Sequence, residues 1–142
     1  CVGPLCSCAV STTAVAFGTY NPLAAGSTDS TGSVRVSCGG VAGLLIPYRI
    51  DLGLGGGASY GARRMSATGG TLGYNLYTDS TYATIWGDGS GGSQYVTGGI
   101  LLDVAGLSPA QTHWVYGRIP ARQVSAVPGS YTDAITVTLT YY

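Results

Sequence analysis

Apolar and polar residues alternate with a period of two along most of this chain. The clearest run lies at its end, where Ile135, Val137, Leu139 and Tyr141 share one parity and Thr136, Thr138 and Thr140 the other. That alternation predicts a half-buried β-strand, apolar toward a core and hydroxylated toward water. A second run sets Ile46, Tyr48, Ile50, Leu52 and Leu54 against Pro47, Arg49, Asp51 and Gly53. Pro47 places this strand at its own start or at a sheet edge, because proline cannot donate to a ladder. Val34, Val36 and Cys38 alternate in a strand over residues 33–38, and Leu72, Tyr74 and Leu76 in another. Residues 10–17 predict a first strand whose parity slips between Val10 and Val15, so a bulge or kink is expected near residues 11–13. Shorter strands are expected at 63–65, 82–86, 100–104 and 114–119, with 94–97 pairing across a loop. Gly- and Pro-containing turns separate them, and residues 24–32 read as a polar loop. No segment shows a 3.6-residue period. Short strands spaced by turn signals indicate an all-β, antiparallel sandwich of immunoglobulin type. Tyr48, Tyr74, Tyr116 and Tyr141 have core parity and are expected to pack with a polar tip at the boundary.

Composition narrows the picture. At 142 residues the chain is expected to form one domain, residues 1–142, with 1–7 as a short N-terminal segment. Every base is Arg and every acid is Asp; Lys and Glu, which build solvated helical faces, are absent. Net charge is zero and charged residues make up 8%. That argues against nucleic acid as a partner, since phosphate neutralisation needs a basic surface. A surface so poor in charge suits a protein partly covered by neighbouring subunits. No apolar run reaches the roughly 18 residues of a membrane span, so no membrane insertion is expected. A chain that starts at Cys1 without Met reads as the mature form of an exported protein.

All four cysteines, Cys1, Cys6, Cys8 and Cys38, fall in the first 38 residues. Export and an even count favour disulfides. Cys38 shares parity with Val34 and Val36, and Cys8 with Val10, so a Cys8–Cys38 bond between two strands is expected. Cys1–Cys6 would then close a small loop around Gly3-Pro4, although either cysteine is also open to a neighbouring subunit. Zinc is disfavoured because Cys6-x-Cys8 is too tight and no second pair follows.

Catalytic and metal signals are weak. His113 is the sole histidine, with Asp103 ten residues upstream, but no Gly-x-Ser-x-Gly elbow accompanies them. Asp88 sits between two glycines in a loop with one carboxylate, where a calcium loop supplies several. Residues 53–57 resemble a phosphate cradle only loosely, since no Lys-Ser/Thr follows. Asp79 and Asp133 are expected to accept turn hydrogen bonds. No enzyme activity, cofactor or metal is expected. The apolar stretch 41–46, with Leu44 and Leu45, and the loop residues Tyr60 and Tyr95 are candidates for an exposed adhesive loop.

Several segments in order carry a resemblance. They are Cys8; Phe17-Gly18-x-Tyr20; Val36-Ser-Cys38; Arg64-Met65 with Leu72-Gly-Tyr-Asn-Leu-Tyr-Thr-Asp79; Trp86-Gly-Asp88; Val115-Tyr-Gly-Arg-Ile-Pro120; and the run from Gly129 to Tyr141. From about Cys8 to Tyr142 the chain resembles the spore coat protein U domain family. That family includes subunits of archaic, Csu-type chaperone–usher pili. The resemblance implies an incomplete sandwich completed by a donor strand, with Val15, Phe17, Ile135, Val137 and Leu139 lining the groove. It implies other pilus subunits, a periplasmic chaperone and an outer-membrane usher as partners. It also implies export through the periplasm to the cell surface, as a structural subunit. A tip adhesin or a self-complete coat protein is the alternative reading. Only seven residues precede Cys8, and Gly3 and Pro4 among them make a poor ladder strand, so donation from this end is not expected.

Overall fold

The computed structural model describes residues 4–142 and contains ten strands. They are β1 (Cys6–Thr13), β2 (Thr19–Tyr20), β3 (Thr28–Gly40), β4 (Leu45–Leu52), β5 (Arg63–Ala67), β6 (Gly70–Tyr77), β7 (Val96–Leu101), β8 (Gln111–Ile119), β9 (Gly129–Ser130) and β10 (Val137–Tyr141). One sheet has the order β1-β3-β8-β6-β5 and a second has the order β10-β4-β7, with β2 and β9 pairing separately. All strand pairs are antiparallel. The inward parities of the two sheets, Val34, Val36, Leu72, Leu76, Val115 and Ile119 against Ile46, Ile50, Leu52 and Ile100, form the core between them.

Cys8 and Cys38 are Cα partners in the β1–β3 ladder and are joined by a disulfide. With a sequence separation of 30, the bond is worth about 3–4 kcal/mol through the unfolded chain. Cys6 is not free; the expected Cys1–Cys6 bond involves Cys1, which lies outside the described residues.

The strand pattern departs from expectation in ways that have local causes. β4 is the central strand of its sheet, not an edge, despite Pro47. The Pro47 carbonyl accepts from Tyr142 N–H, so the missing Pro47 donor faces the same side, where β10 has already ended. The missing donor therefore falls at the end of the β10–β4 ladder and not within it. β3 begins at Thr28, inside the expected polar loop, and pairs with β8 from Thr28↔Ile119 onward. Its first inward positions are Ser30 and Gly32, so no apolar alternation marks it. The expected strand over 82–86 reduces to bridges at Ile85 and Trp86. Asp79 accepts the amides of Ala83 and Thr84, and Tyr82 takes a left-handed φ of 57°, so the chain folds back as a turn instead. Tyr48 and Tyr74 are in the core. Tyr116 is half-buried on the outer face of β8, whose core parity is Val115, Gly117 and Ile119, and Tyr141 is exposed at the end of β10.

Candidate functional site: an open groove between the sheet edges

β1 is an edge of the five-stranded sheet and β10 is an edge of the three-stranded one, and the two run close to each other. Between these edges the core is open. A cavity of about 490 Å³ enters there. One wall is the segment following β1, with Ala14, Val15 and Phe17. The other is the segment leading into β10, with Tyr131, Ile135 and Val137. Val34, Leu52, Met65, Leu76 and Val115 from both sheets form the floor. Leu139 lies beyond the cavity on the same parity of β10, packed against the core and half-buried.

Local sequence explains the opening. β1 pairs with β3 in unbroken register as far as Thr13↔Ser33 and then leaves the ladder, so residues 14–18 belong to no strand. This is the physical form of the parity slip, and no bulge is involved. Val15 and Phe17 turn inward over β8 because Gly117 lies beneath them. A Cβ at Gly117 would sit 2.6 Å from Phe17 Cζ and 2.7 Å from Val15 Cγ1. Residues 133–136 likewise carry no strand, and β10 bonds only to β4. Val15, Phe17, Ile135, Val137 and Leu139 are therefore apolar yet only half-buried against the core. The short β2–β9 pair closes one end.

One charged side chain borders the cavity. Asp133 accepts the amides of Gly56 and Ala134 at 2.9 Å and the Tyr74 hydroxyl at 2.6 Å. Burial, and then the Asp133 carboxylate, push the Tyr74 hydroxyl far above the ordinary phenol range, so it remains a donor. Gly55, at φ 61°, leaves the space that Asp133 fills. Tyr74 also meets Phe17 edge-on, with ring centroids 6.1 Å apart, so the polar tie and the groove wall share one ring. Behind this floor lies Arg63, fully buried. It donates to Gly53 O, to Asn75 Oδ1 and to Trp86 O. Burial lowers its pKa. Neither the Arg63 cluster nor the Tyr74–Asp133 tie was evident in the sequence. Period-two parity for Arg63 and Met65 was the available signal, and a charged residue in that parity masks it.

His113 points inward at the other end of the sandwich. The Gln111 amide nitrogen donates to Gly99 O at 2.6 Å, which turns its oxygen toward Tyr48. Tyr48 donates to that oxygen at 2.7 Å, so His113 Nε2–H donates to the Tyr48 oxygen at 2.5 Å. Asp103 is engaged elsewhere, accepting the amides of Ala105 and Leu107. The three side chains clasp β4 to β8 and form no Ser-His-Asp arrangement. Burial lowers the His113 pKa, so the folded protein favours the neutral ring. Its contribution to stability is complete above the unfolded value of about 6.5 and is lost as pH falls through the lower folded value. Asp29, Asp79 and Asp88 are held below the usual carboxylate range and titrate beneath this window. His113→Gln should flatten the decline in urea midpoint between about pH 7 and about pH 5. A profile parallel to that of the unsubstituted protein would contradict this.

The four residues expected in an adhesive loop do not come together. Leu45 is exposed and Leu44 half-buried, Tyr95 lies under the Arg49 guanidinium at 3.9 Å, and Tyr60 is buried. Tyr60 is enclosed because its ring faces Gly87 and Gly91 and its carbonyl accepts from Asn75. Leu45 instead pairs with exposed Leu101, near the loops that expose Val41, Val104 and Leu107. Val41 bonds Leu5 O and Gly40 bonds Gly106 O, so these loops form one end of the molecule. Asp88 accepts from Ser90 in a turn, and no group of three or more His, Cys, Asp or Glu gathers among the described residues.

Comparison with known proteins agrees with this architecture. A family model described as the Spore Coat Protein U domain matches residues 4–138. Protein U of Myxococcus xanthus is 34% identical over 138 residues, covering 88% of this chain and 70% of its own. Among solved structures, the chain resembles one from the CsuC–CsuE chaperone–tip adhesion subunit pre-assembly complex of archaic chaperone–usher Csu pili of Acinetobacter baumannii. The TM-score is 0.59 at 21% identity, over 95% of this chain and 40% of the other. A chain from a chaperone–tip adhesin complex of CFA/I fimbriae biogenesis matches with a TM-score of 0.52 at 13% identity, over 92% of this chain and 42% of the other. The chain thus spans about two-fifths of those two structures, and at these identities they attest the fold.

Proposed function

The chain belongs to the Spore Coat Protein U domain family, and from that premise we propose that it is a non-enzymatic subunit of a surface filament or coat whose groove receives an extended strand from another polypeptide. The observation that carries this reading is the pair of unpaired edges flanking an open apolar core, with Val15 and Phe17 on one wall, Ile135 and Val137 on the other, and half-buried Leu139 continuing that parity along β10. A strand laid beside β10 adds backbone hydrogen bonds, and its alternate side chains fill the cavity. The partners under this reading are neighbouring subunits, a periplasmic chaperone and an outer-membrane usher. The route is through the periplasm to the cell surface. Residues 6–13 are committed to the ladder with β3, so they accept no role as a lent strand.

Amide exchange tests the proposal. In the isolated protein the amides of 138–141 that point away from β4 should exchange quickly. They should slow by at least tenfold when a ten-residue peptide of alternating Val and Thr is supplied. Full protection of 134–141 without any added strand would sink the idea.

A second reading, a tip subunit that attaches to surfaces, has its own support. Leu5, Val41, Leu45, Leu101, Val104 and Leu107 are each about half exposed or more at one end of the sandwich, and Val104 is 98% exposed. Contiguous exposed apolar loops are unusual on a free monomer. Attachment assays on Val104→Ser with Leu107→Ser separate the readings, since a shaft subunit would keep attachment and a tip subunit would lose it.

A further inference from the structure

The outer face of the five-stranded sheet, turned away from both groove and core, has a distinct chemistry. β8 presents Thr112, Trp114, Tyr116 and Arg118 outward, and β3 presents Asp29, Thr31, Ser33 and Arg35 beside them. Apart from Ala9 on β1, no aliphatic side chain stands on the outward positions of β1, β3 and β8. Trp114 is 56% exposed. Tyr116 pairs with Tyr77 of β6, whose ring meets Tyr82 edge-on at 5.5 Å. Arg118 stacks on Tyr82 at 3.7 Å and grips Asp29 through two hydrogen bonds of 2.8 and 2.9 Å. Tyr77, Tyr82 and Arg118 thus hold one another in place, and Asp29 is neutralised by Arg118. Arg35 is exposed and in no ion pair among the described residues. It is the Cα partner of Thr112 and so lies diagonal to Trp114, within reach of a long side chain.

We propose that this face binds an acidic polysaccharide, with Trp114 and Tyr116 stacking on sugar rings and Arg35 holding a uronate carboxylate. The C–H face of a pyranose packs on an indole or phenol, and its rim hydroxyls need the donors and acceptors that Thr31, Ser33 and Thr112 supply. A free guanidinium takes a carboxylate in a two-bond fork. Trp114 and Tyr116 stand about 7 Å apart along the strand, so one extended chain can cross both rings. The charge balance selects among occupants. Across β3 and β8 the outward charges reduce to Arg35 once Arg118 and Asp29 are paired, which suits an anionic group and opposes a second copy of the same strands.

The test uses soluble sodium alginate as the acidic polymer and dextran as the neutral one. Trp86 is fully buried, so a change in tryptophan fluorescence on adding alginate reports Trp114. Affinity electrophoresis in gels containing each polymer then compares variants. Trp114→Ala should weaken alginate binding at least tenfold with an unchanged melting midpoint, because the side chain is exposed. Arg35→Gln should remove the preference for alginate over dextran and the salt dependence of binding. Equal retardation of Trp114→Ala and the unsubstituted protein would overturn the proposal, as would equal binding to dextran and alginate. Self-association in sedimentation that Trp114→Ala abolishes would assign the face to subunit contact instead. Because the face lies opposite the groove, the same measurements with a strand peptide bound leave the two functions distinguishable.

Discussion

Joining a donor strand to the chain should raise its melting midpoint by about 10–20 °C. The design is a short flexible turn after Tyr142 followed by ten residues of alternating Val and Thr, returning along the free edge of β10. Five apolar side chains, Val15, Phe17, Ile135, Val137 and Leu139, are half-buried now and become covered. Half of a full burial is worth about 1 kcal/mol for each, so the acceptor alone gains on the order of 5 kcal/mol. The donor's own burial and its ladder bonds offset the entropy of ordering it. A gain of that size corresponds to a shift of that order for a domain of this length. A control fusion with each Val replaced by Ser keeps the backbone bonds and should forfeit most of the rise. Val137→Asp in the acceptor should cancel it too, since a carboxylate would sit in an apolar cavity. A rise in the Ser control as large as that of the Val strand would show that the groove contributes nothing.

Arg63→Met should cost about 3–5 kcal/mol of unfolding free energy, because it removes a charge on which three elements depend. Gly53 O just past β4, Asn75 Oδ1 on β6 and Trp86 O all accept from this guanidinium, and its bonds to Asn75 and Trp86 are buried. Water cannot replace the donor in a site with no exposed surface. Met has nearly the right length, so the loss would come from stranded acceptors rather than from a void. Arg63→Lys should recover little, since an ammonium cannot reach acceptors arranged around a planar fork. Urea titration reads the outcome as a lower midpoint with an unchanged slope. A loss below about 1 kcal/mol would mean that the acceptors find other donors.

Both expectations bear on how far residue order alone carried the reading. Strands whose inward positions are Val, Ile or Leu were legible, as in β4 and β10, because apolar alternation states the face directly. The Cys8–Cys38 bond was legible for the same reason, since both cysteines share the inward parity of their neighbours. β3 runs beyond the apolar alternation of 33–38, since Ser30 and Gly32 occupy inward positions without apolar side chains. Gly32 stays small because residues 13–15 cross it, and that contact is remote in sequence. Tyr116 faces outward against its expected core parity, because aromatic residues serve either face and the β8 core parity is carried partly by Gly117. Val15, Phe17, Ile135 and Val137 stand out in the sequence as apolar positions, whereas the polar end of the cavity does not. Asp133 meets Tyr74 and Gly56 from 59 and 77 residues away, and no local period encodes such a meeting.

The two edges of the cavity belong to different sheets, which has a mechanical consequence. A guest segment seated there would run lengthwise beside β10, so traction along a string of such units would be borne by many hydrogen bonds at once. Bonds loaded in shear yield together, whereas bonds peeled from one end yield singly. An apolar slot between two layers would therefore make a tensile coupling that no covalent link is needed to secure.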